Sequence, residues 1–418
     1  MKQINQTDFG RAAKTCHMCK AEDLALILDL GHQPHSDFFP TKNELDEMEP
    51  TFPLRLVKCE NCNLFQIDYF VNPDYLYKAD YLYQSSTTNS GVSHYHAMAQ
   101  EIVDKFKFDS NELVIDVGSN VGVLLQGFKN LGMQVLGVDP AEVARKSADI
   151  GIETIIDYFT HDVAKDISLK HGKASVITGT NVFAHMHDLD DAVLGVKELL
   201  SEKGVFVVEA PWALDLLEKV EYDTIYHQHI GYLSVAPMKS YFERYDLELF
   251  AVSKSDIHGG TLRYYVGHTG AHQVESSVAD IIQTEVESGM YTEEYLQQFQ
   301  GRVLEQKEAL IELLLKLKRE GKRVAAISTP AKGNTLLNYC NLDTDMVSFA
   351  TEKNPLKIGR HTPGMHIPIY DDEEIIKQKV DYALILAWNF SDEIMANMLE
   401  FKESGGKFII PIPYPKVV

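Results

Sequence analysis

The sequence of 418 residues predicts an α/β protein in which a small N-terminal unit is followed by two units built on parallel sheets. Three observations support this prediction. Two Cys-x-x-Cys pairs lie near the N-terminus, a strand at 114–117 runs through a glycine turn and a helix into a second strand, and the strand–helix alternation begins again at Lys322. Strands that alternate with helices across short loops are typical of doubly wound sheets.

Composition restricts the class of function. The formal net charge of -22 and the lack of a basic block argue against binding to nucleic acid or to an anionic membrane surface. No apolar run is as long as a membrane span, and the first residues lack the apolar centre of a signal peptide. We therefore expect a cytoplasmic protein without membrane segments, and the sequence does not decide between a monomer and a dimer.

The first predicted unit, residues 1–75, contains both cysteine pairs. A two-residue spacing lets both thiolates of a pair point at one tetrahedral centre, and in a cytoplasmic chain such pairs favour a metal over disulfides. Four thiolates leave no open coordination position, so we expect a structural Zn²⁺ rather than a catalytic one. The predicted ligands are Cys16, Cys19, Cys59 and Cys62. A redox role for either pair is the alternative.

A tyrosine-rich segment extends from this unit to residue 96. Its run 80–88 is polar and aromatic and has no helical periodicity. Such a stretch can cover a pocket with ring faces and hydroxyls, which makes Tyr81 and Tyr83 candidates for contact with a substrate. Packing between domains is the alternative.

The central unit, residues 97–250, carries the layout of a nucleotide-binding βαβ unit. The turn after its first strand begins with an acid, Asp116, and lacks the Gly-x-Gly-x-x-Gly pattern on which a pyrophosphate sits. An acid at this place repels a phosphate but suits a cationic ligand without phosphate, such as S-adenosylmethionine. The second strand ends in Asp139, which can accept hydrogen bonds from ribose hydroxyls. NAD and a purely structural turn are the alternatives.

A later strand of this unit, 174–178, is followed by a polar stretch that starts near Asn181. Ligands of open α/β sheets bind at the carboxyl ends of the strands, so this stretch is expected beside the glycine turn. The predicted cofactor-binding residues are Asp116, Gly118, Asn120, Gly122, Asp139, Pro140, Asn181, Phe183 and His185.

The segment 222–232 concentrates side chains that move protons near neutral pH, among them Tyr226, His227 and His229. Residues i and i+2 of an extended segment share a face, so the two imidazoles are expected to point together. Proton transfer is therefore the predicted role, with metal binding or a polar surface as the alternative.

Residues 251–320 are predicted to link the two larger units through strands and a long helix, and residues 321–418 to form a smaller Rossmann-like sheet. A His-Gly-Gly turn at 258–260 lets backbone approach a ligand, and a lysine at a helix N-terminus suits a diphosphate. A plain β-turn is the alternative at 258–260. The predicted substrate-binding residues are His258, Arg263, Lys332, Asn334, Thr335, Asn338, Lys357 and Arg360.

The ordered set of motifs resembles a known family. It consists of the two cysteine pairs and the segments 116–122, 180–185, 222–229, 258–263, 332–338 and 354–360. In this order they are similar to the three-domain, S-adenosylmethionine-dependent sugar C-methyltransferases that act on dTDP-linked keto-deoxysugars. The resemblance implies an N-terminal zinc-binding domain, a central class I methyltransferase domain of Rossmann-like fold, and a C-terminal, smaller Rossmann-like domain that binds the nucleotide-linked sugar.

The resemblance also implies catalytic roles. His229 would remove a proton from the sugar carbon next to the keto group, and Tyr226 would lie near the sugar hydroxyls and keto oxygen, with Tyr81 or Tyr83 reaching the same site. Gln228 stands where the family commonly has a glutamate, so any acid–base share of that position is lost or passes to His227. An NAD-dependent oxidoreductase and a non-catalytic nucleotide-sugar-binding protein are the rival classes.

Overall fold

The computed structural model describes residues 9–77, 89–255 and 260–418. Along these ranges it has the three predicted parts: a small N-terminal unit, a central doubly wound sheet and a smaller C-terminal sheet. The predicted α/β fold class is therefore confirmed. Tyr81, Tyr83 and His258 lie outside the described residues.

The N-terminal unit is a small antiparallel sheet with a cysteine cluster at one end. Its two long strands form a hairpin in which Leu24 pairs with Cys59. Apolar side chains such as Leu54, Leu56 and Ile67 are buried beneath it. The elements are β1 (Gly10–Ala12), β2 (Leu24–Pro34), β3 (Thr51–Cys59), β4 (Phe65–Ile67), β5 (Tyr69–Val71) and α1 (Pro73–Tyr77).

The central unit alternates strands and helices as the sequence predicts. The strand that carries the glycine turn has buried residues throughout, as expected for a strand covered on both faces. The elements are α2 (Asn89–Phe106), β6 (Leu113–Val117), α3 (Val123–Asn130), β7 (Gln134–Val138), β8 (Thr154–Ile155), α4 (His161–His171), β9 (Ala174–Thr180), α5 (Leu189–Leu199), β10 (Leu200–Pro211), α6 (Ala213–Glu218), β11 (Gly231–Tyr232), α7 (Val235–Glu243), β12 (Leu247–Ser255) and β13 (Thr261–His268).

Within the described ranges, the central sheet has the strand order β12-β13-β10-β9-β6-β7-β8. The five neighbouring strands β10, β9, β6, β7 and β8 are parallel to one another. Strand β13 pairs with β10 in antiparallel fashion, and β12 pairs with β13 in the same way. The chain order reverses between β6 and β9, and the crevice outside the carboxyl ends of these strands is where open α/β sheets bind ligands. The short β11 does not join this sheet, because it pairs with β4 of the N-terminal unit.

Two helices lead to the C-terminal unit, which is a second, smaller α/β sheet. Its order is β16-β15-β14-β17-β18-β19 over the described residues, with an antiparallel last strand. Its chain order reverses between β14 and β17, which are parallel neighbours. The elements are α8 (Ser276–Glu287), α9 (Glu293–Arg319), β14 (Val324–Ile327), α10 (Ala331–Tyr339), β15 (Ala350–Thr351), β16 (Ile369–Tyr370), α11 (Glu374–Lys377), β17 (Tyr382–Ile385), α12 (Ser391–Asn397), α13 (Leu399–Glu403), β18 (Lys407–Ile410) and β19 (Lys416–Val417).

Element boundaries differ from the prediction in three places. The predicted unit boundary at residue 250 falls inside β12, and both strands assigned to the linking region belong to the central sheet. The boundary at 96 falls inside α2, which begins at Asn89. The run 346–350 is apolar enough to predict a strand, but only Ala350 of it lies in one, β15, because the backbone amides of Met346 and Val347 turn back to the carbonyl of Asp343.

The connection between β2 and β3 joins the N-terminal unit to the C-terminal unit. Asn334 donates its side-chain amide to the Ser36 carbonyl at 2.7 Å. The Glu49 carboxylate accepts from the Gly364 amide and lies 2.9 Å from Nε2 of His366. None of the helices in the described ranges combines the length and apolar character needed to cross a bilayer.

Candidate active site and metal centre

The four predicted metal ligands come together. Their sulfur atoms all lie within 4.8 Å of one another, with Cys16 and Cys62 at 3.5 Å and Cys19 and Cys59 at the same separation. A tetrahedral Zn²⁺ with Zn–S bonds of about 2.3 Å separates its sulfurs by about 3.8 Å, so the cluster fits that ion. The amide of Asn61 donates to the Cys19 sulfur at 3.4 Å, as expected around thiolate ligands.

The glycine turn after β6 adopts the backbone conformation that its sequence requires. Gly118, Asn120 and Gly122 have φ values of 72°, 48° and 83°. Glycine and asparagine adopt this left-handed region most readily. A Cβ on Gly118 would stand 2.7 Å from the Val182 side chain, so the turn packs directly against the loop after β9. The two loops therefore form the two sides of one crevice.

Asp139 is fixed at the end of β7 by the turn itself. Its two carboxylate oxygens accept from the backbone amides of Asn120 at 2.9 Å and Ala141 at 2.8 Å. These contacts hold the carboxylate beside the crevice, and each oxygen keeps a further lone pair for a hydroxyl group. Pro140 is partly buried next to it. This arrangement suits the predicted contact with ribose.

Asp116 lies deeper than the prediction assumed. It is 2% exposed, and Thr178 donates its hydroxyl to Oδ1 at 2.6 Å. Burial raises the pKa of this carboxyl to about 7, against the opposing effect of the Thr178 hydrogen bond. The carboxyl group thus lies buried beneath the turn, where its surroundings strongly disfavour the charged form.

The loop after β9 divides its predicted cofactor residues between crevice and core. Asn181 has φ 53° and is partly buried, and its amide donates to the Glu209 carbonyl. Phe183 is a correction: it is 1% exposed and packs against Phe206 and Phe242 in the apolar core. An aromatic residue next to polar ones resembles a ligand contact in sequence, but the 3₁₀ turn at this point directs its ring inward.

His185, at the end of this loop, contacts the segment 222–232. Its ring centroid lies 4.7 Å from that of His229, and its Nδ1 lies 3.5 Å from the Tyr77 hydroxyl. Its Nε2 is buried and makes no hydrogen bond to any described residue. Burial, followed by the two neighbouring histidines, holds the pKa of His185 well below its usual range, so its imidazole is neutral. Tyr77 belongs to the tyrosine-rich segment, but the sequence does not distinguish it there as a site residue.

Tyr226 and His229 form a hydrogen-bonded pair beside His185. The Tyr226 hydroxyl lies 2.7 Å from Nε2 of His229, and Nδ1 of His229 lies 2.9 Å from the Thr224 carbonyl. A carbonyl can only accept, so Nδ1 carries the proton and Nε2 holds the lone pair. Both side chains are partly exposed. The pair therefore presents a basic nitrogen and a hydroxyl at the crevice.

The expectation that His227 and His229 share a face is wrong. The segment is a turn and not an extended strand, since the His229 amide bonds to the Tyr226 carbonyl. His227 is 1% exposed, and its Nε2 lies 3.2 Å from the Pro53 carbonyl. Gln228 is buried as well and donates to Asp37 at 2.8 Å, while it accepts from the Ser36 hydroxyl. Both face the N-terminal unit.

The C-terminal residues predicted to bind a diphosphate have protein partners. Lys332 bonds to Asn389 and lies 4.0 Å from the Trp388 ring centroid. Lys357 is 7% exposed and donates to the Thr329 carbonyl at 2.8 Å, and Arg360 donates to the Phe39 carbonyl at 3.1 Å. A cation at a helix start looks the same in sequence whether it faces a ligand or a neighbouring domain.

The helix α10 likewise uses its polar side chains for packing. Asn334 contacts the Ser36 carbonyl, and Asn338 donates to the Asn334 and Pro363 carbonyls. The Thr335 hydroxyl reaches back to the Ala331 carbonyl. Of these predicted substrate residues, Asn334 joins α10 to the N-terminal unit, whereas Asn338 and Thr335 bond within the C-terminal unit.

Arg263 is also a correction. Its guanidinium lies in the central sheet, where it forms ion pairs with Glu209 and Glu101, each at 2.8 Å. The Glu209 carboxylate is 0% exposed and lies 2.6 Å from His94 on its other oxygen. The arginine neutralises a buried carboxylate and does not face the crevice as an anion contact. Sequence reasoning missed Glu209 and His94, because no local spacing links residues so far apart.

The chain is similar to known proteins along nearly its whole length. Three family models match successive parts of the chain: a zinc binding domain at residues 16–77, a methyltransferase domain at 92–252 and a C-methyltransferase C-terminal domain at 256–413. The C-methyltransferase NovU of Streptomyces niveus is 33% identical over 413 residues, which cover 98% of each chain.

Two solved structures each resemble less than half of the chain. The PH0226 protein of Pyrococcus horikoshii OT3 gives a TM-score of 0.37 at 14% identity and covers 45% of this chain and 95% of its own. Magnesium protoporphyrin IX methyltransferase of Synechocystis PCC 6803, solved with bound SAH, gives 0.33 at 13% identity and covers 43% and 83%.

The doubly wound sheet, with its glycine turn and the acid after its second strand, together with the matching methyltransferase domain, defines an S-adenosylmethionine-dependent methyltransferase. The full-length likeness narrows the class. The chain belongs to the C-methyltransferase family, with a four-cysteine zinc site in its first domain.

Proposed function

We propose that the protein methylates a carbon of a nucleotide-linked keto-deoxysugar, most simply a dTDP-linked one, at the position next to the keto group. The motif order that resembles the sugar C-methyltransferases supports the substrate class. The membership in the C-methyltransferase family supports carbon as the methylated atom. It also argues against the NAD-dependent oxidoreductase considered from the sequence.

The observation that carries the proposal is the tautomer of His229. The Thr224 carbonyl holds the Nδ1 proton, which leaves the Nε2 lone pair directed at the Tyr226 hydroxyl. A nitrogen base whose proton position is fixed by a second group is the arrangement that general-base catalysis needs. A substrate C–H would take the place that the Tyr226 hydroxyl occupies at Nε2.

The proposed reaction has two steps. The keto group acidifies the neighbouring C–H, His229 takes that proton on Nε2, and the electron pair moves into an enolate whose oxygen accepts hydrogen bonds from hydroxyl or imidazole donors. The nucleophilic carbon then forms a bond to the methyl group that S-adenosylmethionine supplies, and S-adenosylhomocysteine leaves. Positioning of the two reactants contributes the larger part of the rate.

Tyr226 lies where the three units meet, among Pro34, Ser36 and Leu54 of the N-terminal unit and Asn338 of α10. The space between these residues is too tight for a water molecule, so a nucleotide portion bound at this junction would require the units to move apart. The non-catalytic alternative has less support, because the basic nitrogen of His229 is retained even though Gln228 replaces an acid.

Incubation of the protein with methyl-labelled S-adenosylmethionine and a panel of nucleotide-linked keto-deoxysugars tests the proposal. The wild type should add one methyl group, read by mass spectrometry. His229→Asn should abolish transfer while S-adenosylmethionine still binds in calorimetry, and His171→Asn, an exposed change in α4, should remain fully active. Undiminished transfer by His229→Asn would refute the base assignment, and a wild type inactive on every sugar would refute the substrate class.

A further inference from the structure

The carboxyl edge of the C-terminal sheet contacts the turn that leads to the catalytic pair. This turn, Tyr222–Thr224, is a single 3₁₀ turn whose residues are buried. Trp388 follows β17 and Lys332 lies in α10, directly after β14. These two strands flank the place where the chain order of that sheet reverses. The side chains of the turn therefore occupy the position at which such a sheet would bind a ligand.

Three hydrogen bonds fix the turn. The Trp388 indole donates to Oδ2 of Asp223 at 2.7 Å, and the Tyr222 hydroxyl donates to Gln306 of α9 at 2.7 Å. Within the turn, the Thr224 hydroxyl donates to the Glu221 carbonyl. The Thr224 carbonyl, at the end of this turn, is the group that holds Nδ1 of His229. The orientation of the base thus depends on a turn that the C-terminal unit contacts.

The positive charge of Lys332 acts on two buried carboxyl groups at this contact. Asp223 and Glu221 are 0% and 2% exposed, and each has a carboxylate oxygen without a hydrogen bond to any described residue. Burial raises the pKa of Asp223 to about 6 and that of Glu221 to about 8, and in both cases the positive charge of Lys332 opposes the rise. The pKa of Lys332 falls to about 8 through burial. Lys332 is therefore the cation that acts on both carboxylates, and Lys219 acts in addition on Glu221.

We propose that Trp388 and Lys332 are positioning residues for His229, and that the C-terminal unit takes part in catalysis by fixing the turn Tyr222–Thr224. Trp388 joins the two, because its indole N–H bonds to Asp223 and its ring face lies against the Lys332 ammonium. The catalytic meaning of this role rests on the proposed function. The geometric part, which is the orientation of the His229 ring, does not.

Trp388→Phe is the first test, with Trp212→Phe as its matched control. Trp212 donates its indole N–H to another buried carboxylate, that of Glu285, at 2.9 Å. Both variants lose the same kind of hydrogen bond, so both should melt at a lower temperature. Only Trp388→Phe should lower kcat, by about tenfold to a hundredfold, with KM and the affinity for S-adenosylmethionine nearly unchanged. An equal loss of kcat in both variants would overturn the proposal.

Lys332 supplies a second test that remains if Trp388→Phe does not fold. Lys332→Met should lower kcat, and Lys332→Arg, which keeps the charge, should retain most of it. Lys307→Met removes a lysine that lies over the Tyr339 ring in the same region and should retain wild-type kcat. Equal activity of the Met and Arg variants would contradict the electrostatic role of Lys332.

Nitrogen NMR of the His229 ring separates this proposal from the proposed function. With ¹⁵N-labelled histidine, and with His229→Asn for assignment, the wild type should show a protonated Nδ1 and an unprotonated Nε2. Trp388→Phe and Lys332→Met should shift both resonances, and Trp212→Phe should not. This outcome supports positioning even if no keto sugar is methylated, whereas unchanged resonances in both variants would refute it.

Discussion

Nε2 of His229 lies 2.7 Å from the hydroxyl of Tyr226, while the opposite nitrogen of the ring is held by a backbone carbonyl. The two contacts fix the ring from both sides. In the proposed reaction they also set the direction of proton transfer, because only Nε2 can accept a proton. The pair comes from residues three apart in a turn, and the adjacent His227 and Gln228 face the other way.

Tyr226→Phe should lower kcat by about a hundredfold, because it removes a hydroxyl that contacts the base and can donate to an enolate oxygen. The affinity for S-adenosylmethionine, measured by calorimetry, should stay at the wild-type value. Tyr414→Phe removes an exposed phenol, 60% accessible, and should leave both quantities unchanged. Wild-type kcat for Tyr226→Phe would exclude the hydroxyl from the reaction.

Loss of the metal should destabilise the protein and stop methyl transfer. Cys62→Ser, or prolonged treatment with a chelator, should release the zinc and lower the melting temperature by about 10 °C. Cys340→Ala changes the buried cysteine outside the cluster and should keep the zinc content of the wild type. Metal analysis and differential scanning calorimetry on the same samples make the comparison. Retention of both zinc and melting temperature in Cys62→Ser would contradict the four-thiolate site.

Gly118→Ala should weaken binding of S-adenosylmethionine by at least about tenfold. The residue has φ 72°, and the added methyl group would press on Val182 and displace the opposite wall of the crevice. Gly172→Ala imposes the same kind of backbone strain, at φ 88°, but a Cβ there has no atom within 4 Å. The control should therefore lose some stability and no affinity. Equal affinities of the two variants would show that the turn does not hold the cofactor.

Asp116→Asn should alter the dependence of stability on pH. The folded pKa is raised to about 7, above the unfolded value of about 3.9, so the folded state binds the extra proton between these pH values. The contribution of Asp116 to stability is therefore greatest at low pH and falls as the pH rises through this window. The asparagine variant should lose this part of the decline and melt higher than the wild type at pH 8.

The control for Asp116→Asn is Asp149→Asn, an exposed acid of the same unit whose loss should leave the pH profile unchanged. Melting temperatures from pH 4 to pH 8 are the measurement. Parallel profiles for Asp116→Asn and the wild type would mean that the carboxyl stays ionised in the folded protein.

Most of the fold could be predicted because its signals are local. Four cysteines in two close pairs and a glycine turn between two apolar strands each indicate their own structure over a few residues. The second strand of the predicted βαβ unit, which leads into Asp139, is β7. The outward or inward direction of a side chain in an irregular turn is a different problem, since it depends on distant contacts.

The candidate site illustrates this limit. Phe183 and Asn181 stand two residues apart, yet one packs in the core and the other lines the crevice. Arg263 looks like an anion-binding residue until Glu209 is brought beside it from 54 residues away. Lys332 faces carboxylates of the central unit, and no sequence pattern in its own helix predicts this contact. In each case a tertiary partner decided the role.

The two-residue strand β11 has a consequence for protein engineering. It begins two residues after His229 and completes the sheet of the zinc-bearing unit by pairing with β4, and the Ile67 amide bonds to the Ile230 carbonyl. The N-terminal unit is therefore not an independent cassette. A chimera that exchanges residues 1–75 between relatives must therefore exchange 230–232 as well, because a mismatched sheet edge would shift the backbone that carries His229.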